Sequence, residues 1–136
     1  MYINDLIKII IILSLIFTFI YLPLPFIKYL KITHMGEVLV DNIQREGAIT
    51  EEIRRISDTL ASKYNISPTV EYEGNFIDVN GEDRIQLKER FNIVINEKVK
   101  VFSFLPNLSD KLTYYINLSK KIVGVSHYYW REEELQ

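Results

Sequence analysis

A chain of 136 residues with 16 basic and 18 acidic side chains, net charge −2, has room for one ordinary domain or a smaller domain with an appendage. The near-neutral balance excludes the basic footprint of a nucleic-acid binder, and the absence of cysteine excludes a disulfide framework or thiolate chemistry. Hydrophobic residues make up 48% of the chain, near the globular average, but they are unevenly spread.

Ile9 to Ile27 contains no charged residue. At about 1.5 Å per residue, such a helix reaches roughly 28 Å, close to the hydrocarbon thickness of a bilayer. A removable signal peptide carries a basic start, a shorter apolar core and a small-residue cleavage site. Here Asp5 offsets Lys8 in "MYINDLIK", and "YLPLPF" follows without an Ala-x-Ala pattern, so the segment is expected to be retained. Ile10 to Leu13 and Leu15 to Phe17 are apolar on every helical face, which suits lipid better than the core of a small protein. Residues 1–30 are therefore expected to form a transmembrane N-terminal helix, and 31–136 a globular domain of about −3 charge. Lys8 lies before the run and Lys28 and Lys31 after it, so the positive-inside rule leans only slightly, towards a cytoplasmic C-terminal domain. Pro23 and Pro25 each lack an amide hydrogen. Either the helix stops near Leu22 and restarts, or it continues with a bend; the pattern that follows favours continuation.

Ile32, Met35, Leu39 and Ile43 recur at spacings of three and four, an apolar stripe that Gly47 is placed to end. Thr50 offers an N-cap for a second, shorter helix, with Glu51 and Glu52 in its first turn and Ile53, Ile56, Leu60 and Tyr64 on one face. "NISP" (65–68) ends it. The period then becomes two. "TVEYE" (69–73) reads as a strand, and "NFIDVNGED" (75–83) as a short extended piece with a turn at Asn80-Gly81. In "RIQLKERFNIVIN" (84–96) Ile85, Leu87, Phe91, Ile93 and Ile95 share a face, and "KVKVFSF" continues the strand after an irregularity near Glu97. "LPNLSD" reads as a loop, "KLTYYINL" (111–118) alternates through Leu112, Tyr114, Ile116 and Leu118, and "KIVGVSHYYW" (121–130) closes the sheet. The expected fold class is α+β: the long helix and the second helix cover the apolar face of a three- to four-stranded antiparallel sheet.

Groups that carry chemistry are sparse. His34 and His127 are the two histidines, and their expected elements give them no shared site or metal-ligand spacing. Five scattered glycines make no phosphate loop. Glu89 shares parity with Leu87 and Phe91, so it is either an acid aimed at the apolar layer, a bulge residue or a group at the sheet's wet end. Asn65, Asn107 and Asn117 open N-x-Ser triplets, which carry little weight. Tyr115, Tyr128 and Trp130 make the last strands aromatic, as an exposed interaction surface or as core. No constellation supports an enzyme, and no cofactor or metal is expected.

The stretches "YIN", "LPLPFIKYLKI", "GEVLVDNIQREGAIT", "RIQLKERFNIVI" and "VGVSHYYW" resemble a family of small single-pass Gram-positive proteins that is itself similar to the TadE-like minor pilins of tight-adherence systems. The resemblance implies a pilin-like, type IV pilus-related structural subunit in the cell membrane, its domain outside the cell or in an extracellular filament. Its partners would be membrane lipid, other pilin-like subunits in a homo- or hetero-oligomer, and a pilus assembly platform, with no nucleic acid. Asp5, Ile12, Leu15, Ile16, Phe19, Pro23 and Pro25 would then serve helix packing and assembly. Prepilins carry a basic leader ending in glycine, whereas Met1 opens this chain. Asp5 sits at the membrane surface or, had a leader been removed, at the place of the pilin carboxylate that pairs with a neighbour's amine. A bitopic scaffold that never polymerises is the alternative.

Overall fold

A computed structural model describes the backbone of residues 2–103 and 113–136; the "LPNLSD" loop, Asn107 and Leu112 fall outside them. Helices α1 (Tyr2–Tyr21) and α2 (Pro23–Glu46) are one helix. Leu22 between them is helical (φ −63°, ψ −37°), and its N–H donates to the Thr18 carbonyl at 3.0 Å. The 45 residues Tyr2–Glu46 run through both prolines, about 68 Å at 1.5 Å per residue. Pro23 begins the second half, a position that fixes a helical φ, and the two rings remove two amide hydrogens from the ladder.

Gly47 ends α2 in the left-handed region (φ 65°), its N–H donating to the Ile43 carbonyl. A two-residue strand, β1 (Ala48–Ile49), leads to α3 (Glu51–Tyr64), which Thr50 caps by accepting from the Ile53 N–H at 3.3 Å. Asn65, also left-handed, closes α3. The sheet residues are divided between two antiparallel three-stranded sheets. Strand β1 pairs with β4 (Glu82–Arg84), which pairs with β3 (Ile77–Val79) across the Asn80-Gly81 turn. The larger sheet has the order β2 (Thr69–Gly74), β5 (Arg90–Ser103), β6 (Thr113–Val125).

The stripe on α2 covers the larger sheet. Ile32, Met35, Leu39 and Ile43 are all 0% exposed and pack with Phe91, Ile93 and Ile95 of β5. Gly36 brings the helix close, because a Cβ there would collide with the Ile122 side chain of β6. α3 lies beside α2 with Ile53 buried and Ile56, Leu60 and Tyr64 partly covered. Lys120 touches Tyr29, Ile122 touches Gly36 and the His127 N–H bonds the Gln44 carbonyl, so β6 runs alongside α2 in the same direction.

Three local expectations are corrected. The stretch 84–96 is two strands, not one: residues 86–89 form a turn with Lys88 at φ 67°, leaving Leu87 exposed. Strand β5 is regular at Glu97, which pairs with Leu118 and turns inward with Ile95 and Val99; the register shift falls later, between Lys100 and Phe102. Strand β6 runs unbroken through residues 118–121 but ends at Val125, so Ser126 to Trp130 leaves the sheet.

Candidate functional site: an uncovered helix and two ends of the domain

Every described residue of α1 is exposed apart from Tyr21, whose ring stacks on Phe17, and no residue of α1 is buried. Ile12 (55%), Leu15 (52%), Ile16 (49%) and Phe19 (76%) follow at spacings of three, one and three, so they share one face. That face is no more covered than the opposite one, which Ile10, Leu13 and Phe17 keep apolar. The helix is long and apolar enough to cross a membrane and lies near the N-terminus. Asp5 sits in its first turn, 3.8 Å from Lys8, both open to solvent. Pro23 and Pro25 mark the place where an all-round apolar surface gives way to the single stripe of α2.

The aromatic residues are at opposite ends of the domain. Tyr115, on β6, lies under the Lys98 ammonium at 4.7 Å. Tyr128 and Trp130 lie beyond the C-terminus of α2. Ser126 is fully buried, its Oγ donating to the Ile85 carbonyl, and directs the tail across Gly47. The Trp130 indole N–H donates to the Gly47 carbonyl at 2.9 Å, and the Tyr128 and Trp130 rings lie 4.5 Å apart. The Gln86 amide holds the Trp130 backbone twice, donating to its carbonyl at 2.8 Å and accepting from its N–H at 2.9 Å. Arg84 covers the indole at 4.3 Å. Trp130 is thus a clamp joining α2, the turn after β4 and the tail, while Tyr129 (64% exposed) faces solvent.

His34 sits on α2 against Tyr64, at a ring distance of 6.0 Å, and His127 lies at the far end near Gln44. Glu89 is half-exposed in the turn before β5. The buried acid is Glu97, 6% exposed: Oε1 accepts from the Ser67 N–H at 3.3 Å, and Oε2 has no hydrogen-bond partner among the described residues. Its parity with Ile95 and Val99 was the signal that could have marked it. A depression of about 300 Å³ lined by Ser67, Thr69, Asn96, Lys98 and Asn117 opens beside it. On the outer sheet face, hydrogen bonds from Lys121 (3.0 Å) and Asn92 (3.2 Å) hold the Glu73 carboxyl below the ordinary carboxylate range. Burial pushes the Tyr72 phenol up, with Arg54 opposing and Asp58 adding to the rise. Among the described residues no group of three His, Asp or Glu could hold a metal ion.

Fold and surface together define a small α+β domain built on the distal half of a helix whose proximal half can span a membrane. The family model described as Domain of unknown function (DUF4320) matches residues 7–131, and the chain belongs to that family. The match runs across residue 30, the expected boundary between anchor and domain, which α2 also crosses unbroken. No curated protein and no solved structure matches the chain.

Proposed function

We propose that this chain is a membrane-anchored, pilin-like structural subunit of a surface filament or of its assembly machinery, similar to TadE-like minor pilins, with its domain outside the cell. The observation that carries the reading is the continuous Tyr2–Glu46 helix, uncovered over its apolar half and packed into the domain over the rest. Such a helix is at home in lipid and equally able to pack against copies of itself, because both surroundings accept an apolar surface whose backbone groups are bonded within the helix over residues 2–21. Ile12, Leu15, Ile16 and Phe19 supply the contact, and Pro23 and Pro25 place a point of bending between membrane and domain. A non-polymerising bitopic scaffold is the second reading; the outer edge of β6, 13 residues long and unpaired among the described residues, favours it by offering a strand to a partner.

Shearing intact cells and probing the released material and the membranes with an antibody to residues 50–136 tests the two. Full-length chain in high-molecular-weight sheared fibres supports the subunit reading. Chain confined to membranes, with no fibre form under any condition, sinks it in favour of the scaffold. Protease digestion of intact cells tests the orientation: survival of the domain would place it in the cytoplasm.

A further inference from the structure

The end of the domain nearest α1 collects six lysines from four elements: Lys28 and Lys31 of α2, Lys63 of α3, Lys98 and Lys100 of β5, and Lys120 of β6. Contacts place Lys28, Lys31, Lys98 and Lys120; Lys63 precedes Tyr64 in the chain, and Lys100 lies further along β5, opposite Tyr115. Lys31 donates to the last carbonyl of α3, that of Tyr64 (3.3 Å), and Lys28 to that of its cap, Asn65 (3.1 Å). Ser67, just beyond, bonds Glu97, the neighbour of Lys98. Lys120 donates to the Tyr29 hydroxyl at 3.3 Å.

None of the six forms an ion pair among the described residues. The domain's ion pairs lie elsewhere: Arg54–Asp83, Arg55–Glu52 and Arg84–Glu82 towards the opposite end, and Lys121–Glu73 on the outer sheet face. Among the described residues, the acid within this end is Glu97, and it is turned inward. Among its described residues, a chain of net charge −2 therefore carries six lysines without an ion pair towards one end.

Aromatic and apolar groups accompany the lysines. Tyr114 (70% exposed), Tyr115 (46%) and Ile116 (44%) lie on β6 before Lys120. Because β6 and α2 run in the same direction, that part of the β5–β6 hairpin points back along the helix towards α1. At about 3.3 Å per residue, Tyr114 lies roughly 20 Å beyond Lys120. Lysines with exposed tyrosines are the side chains that suit an anionic bilayer surface, where the charge meets headgroups and the ring sits at the boundary.

We propose that this end of the domain is a lipid-facing collar: Lys28, Lys31, Lys63, Lys98 and Lys120 bind anionic phospholipid headgroups, while Tyr114 and Tyr115, with Lys100 opposite Tyr115, lie nearer α1 on the bilayer side of those lysines. The collar holds the domain down on the membrane that α1 crosses. It rests on the membrane-spanning reading of α1 and not on polymerisation.

The chain has no cysteine, so a single fluorophore can be placed at Ser119→Cys on the collar or at Glu133→Cys on the tail. The full-length protein is reconstituted into vesicles of zwitterionic lipid, or of the same lipid with about a third phosphatidylglycerol, with a quencher on the headgroups. Co-flotation reports α1, and quenching reports the collar. The expected result is quenching at residue 119 several-fold greater in anionic than in neutral vesicles, with residue 133 unquenched in both. Quenching should fall in the Lys98→Gln/Lys100→Gln variant. It should also fall for the unaltered chain between about 0.1 M and 1 M salt, as the screening length drops from about 10 Å to 3 Å. Co-flotation with no quenching at residue 119, or with equal quenching in both lipids, overturns the collar alone. Failure to co-float overturns the spanning reading and the collar with it.

Discussion

The two halves of the long helix share one backbone geometry but differ in how many of their faces are apolar. Residues 2–21 present isoleucine, leucine and phenylalanine around the whole circumference, and nothing in the domain covers them. Residues 23–46 confine their deepest apolar contacts to Ile32, Met35, Leu39 and Ile43, which are fully buried, while Glu37, Asp41 and Arg45 face water. A stripe needs one partner surface and finds it in a sheet of the same chain. A helix apolar all round needs a surrounding medium, lipid or other helices, which no single small domain supplies. The surface that suits lipid and the surface that builds the core thereby lie on different stretches of one element, and substitutions in each should fail in different ways.

The sharpest way to break that division is charge. Ile12→Lys combined with Ile16→Lys should release the protein from membranes, since each lysine at a helix centre costs about 2.5–3.5 kcal/mol on insertion scales. The soluble fraction after alkaline extraction measures it; full retention would contradict a membrane role for α1. Truncation in the other half should do the reverse. Leu39→Ala should lower domain stability by about 2–5 kcal/mol, read by thermal melting, with membrane retention unchanged, whereas Ile12→Ala should leave the melting temperature where it was. Gly124→Ala should cost about 1–3 kcal/mol, because a Cβ there meets the rigid Phe91 ring on the layer that α2 covers. Gly47→Ala should cost about 1–2 kcal/mol through its left-handed φ, with crowding of Tyr128 behind it.

The smallest effect concerns the outer sheet face, away from both halves of the helix. The folded-state pKa of Glu73 is depressed by Lys121 and Asn92, so the ionised carboxylate stabilises the fold above the ordinary value of 4.5. That contribution is lost as pH falls through the folded-state value. Glu73 is exposed, so screening keeps the effect slight. The melting temperature of the unaltered chain should exceed that of Glu73→Gln at pH 7, and the gap should close as the pH falls below the depressed folded-state value. A constant gap would assign the difference to packing instead.

Local chemistry was readable wherever one turn of chain decides the outcome. Gly47 and Thr50 end and begin helices as expected because a left-handed φ and a side-chain cap involve neighbours within four residues. The Asn80-Gly81 turn is equally local. Alternation failed at Leu87, which shares parity with Phe91 but faces solvent, because the turn around Lys88 resets the phase between β4 and β5. It also misdirected the reading of Glu97: an acid among isoleucines looked like a break in the strand, yet β5 keeps its register and offers the carboxylate the Ser67 N–H. The clamp at Trp130 had no local signal. Its partners Gly47 and Gln86 lie 83 and 44 positions away.

By itself, the sequence determined a lipid-compatible helix, the stripe that follows it, the change from period 3.6 to period two, and hence an α+β fold. These depend on spacing within a turn or a pleat, which chain order states directly. Only the tertiary structure decided that the strands divide into two sheets, that the last aromatic residues separate into a clamp and a solvent-facing ring, and that lysines of α2 and β6 come together at the end of the domain nearest α1. Contacts such as Lys120 to Tyr29 join residues 91 positions apart, and no periodicity within one segment encodes which distant segment will lie against it.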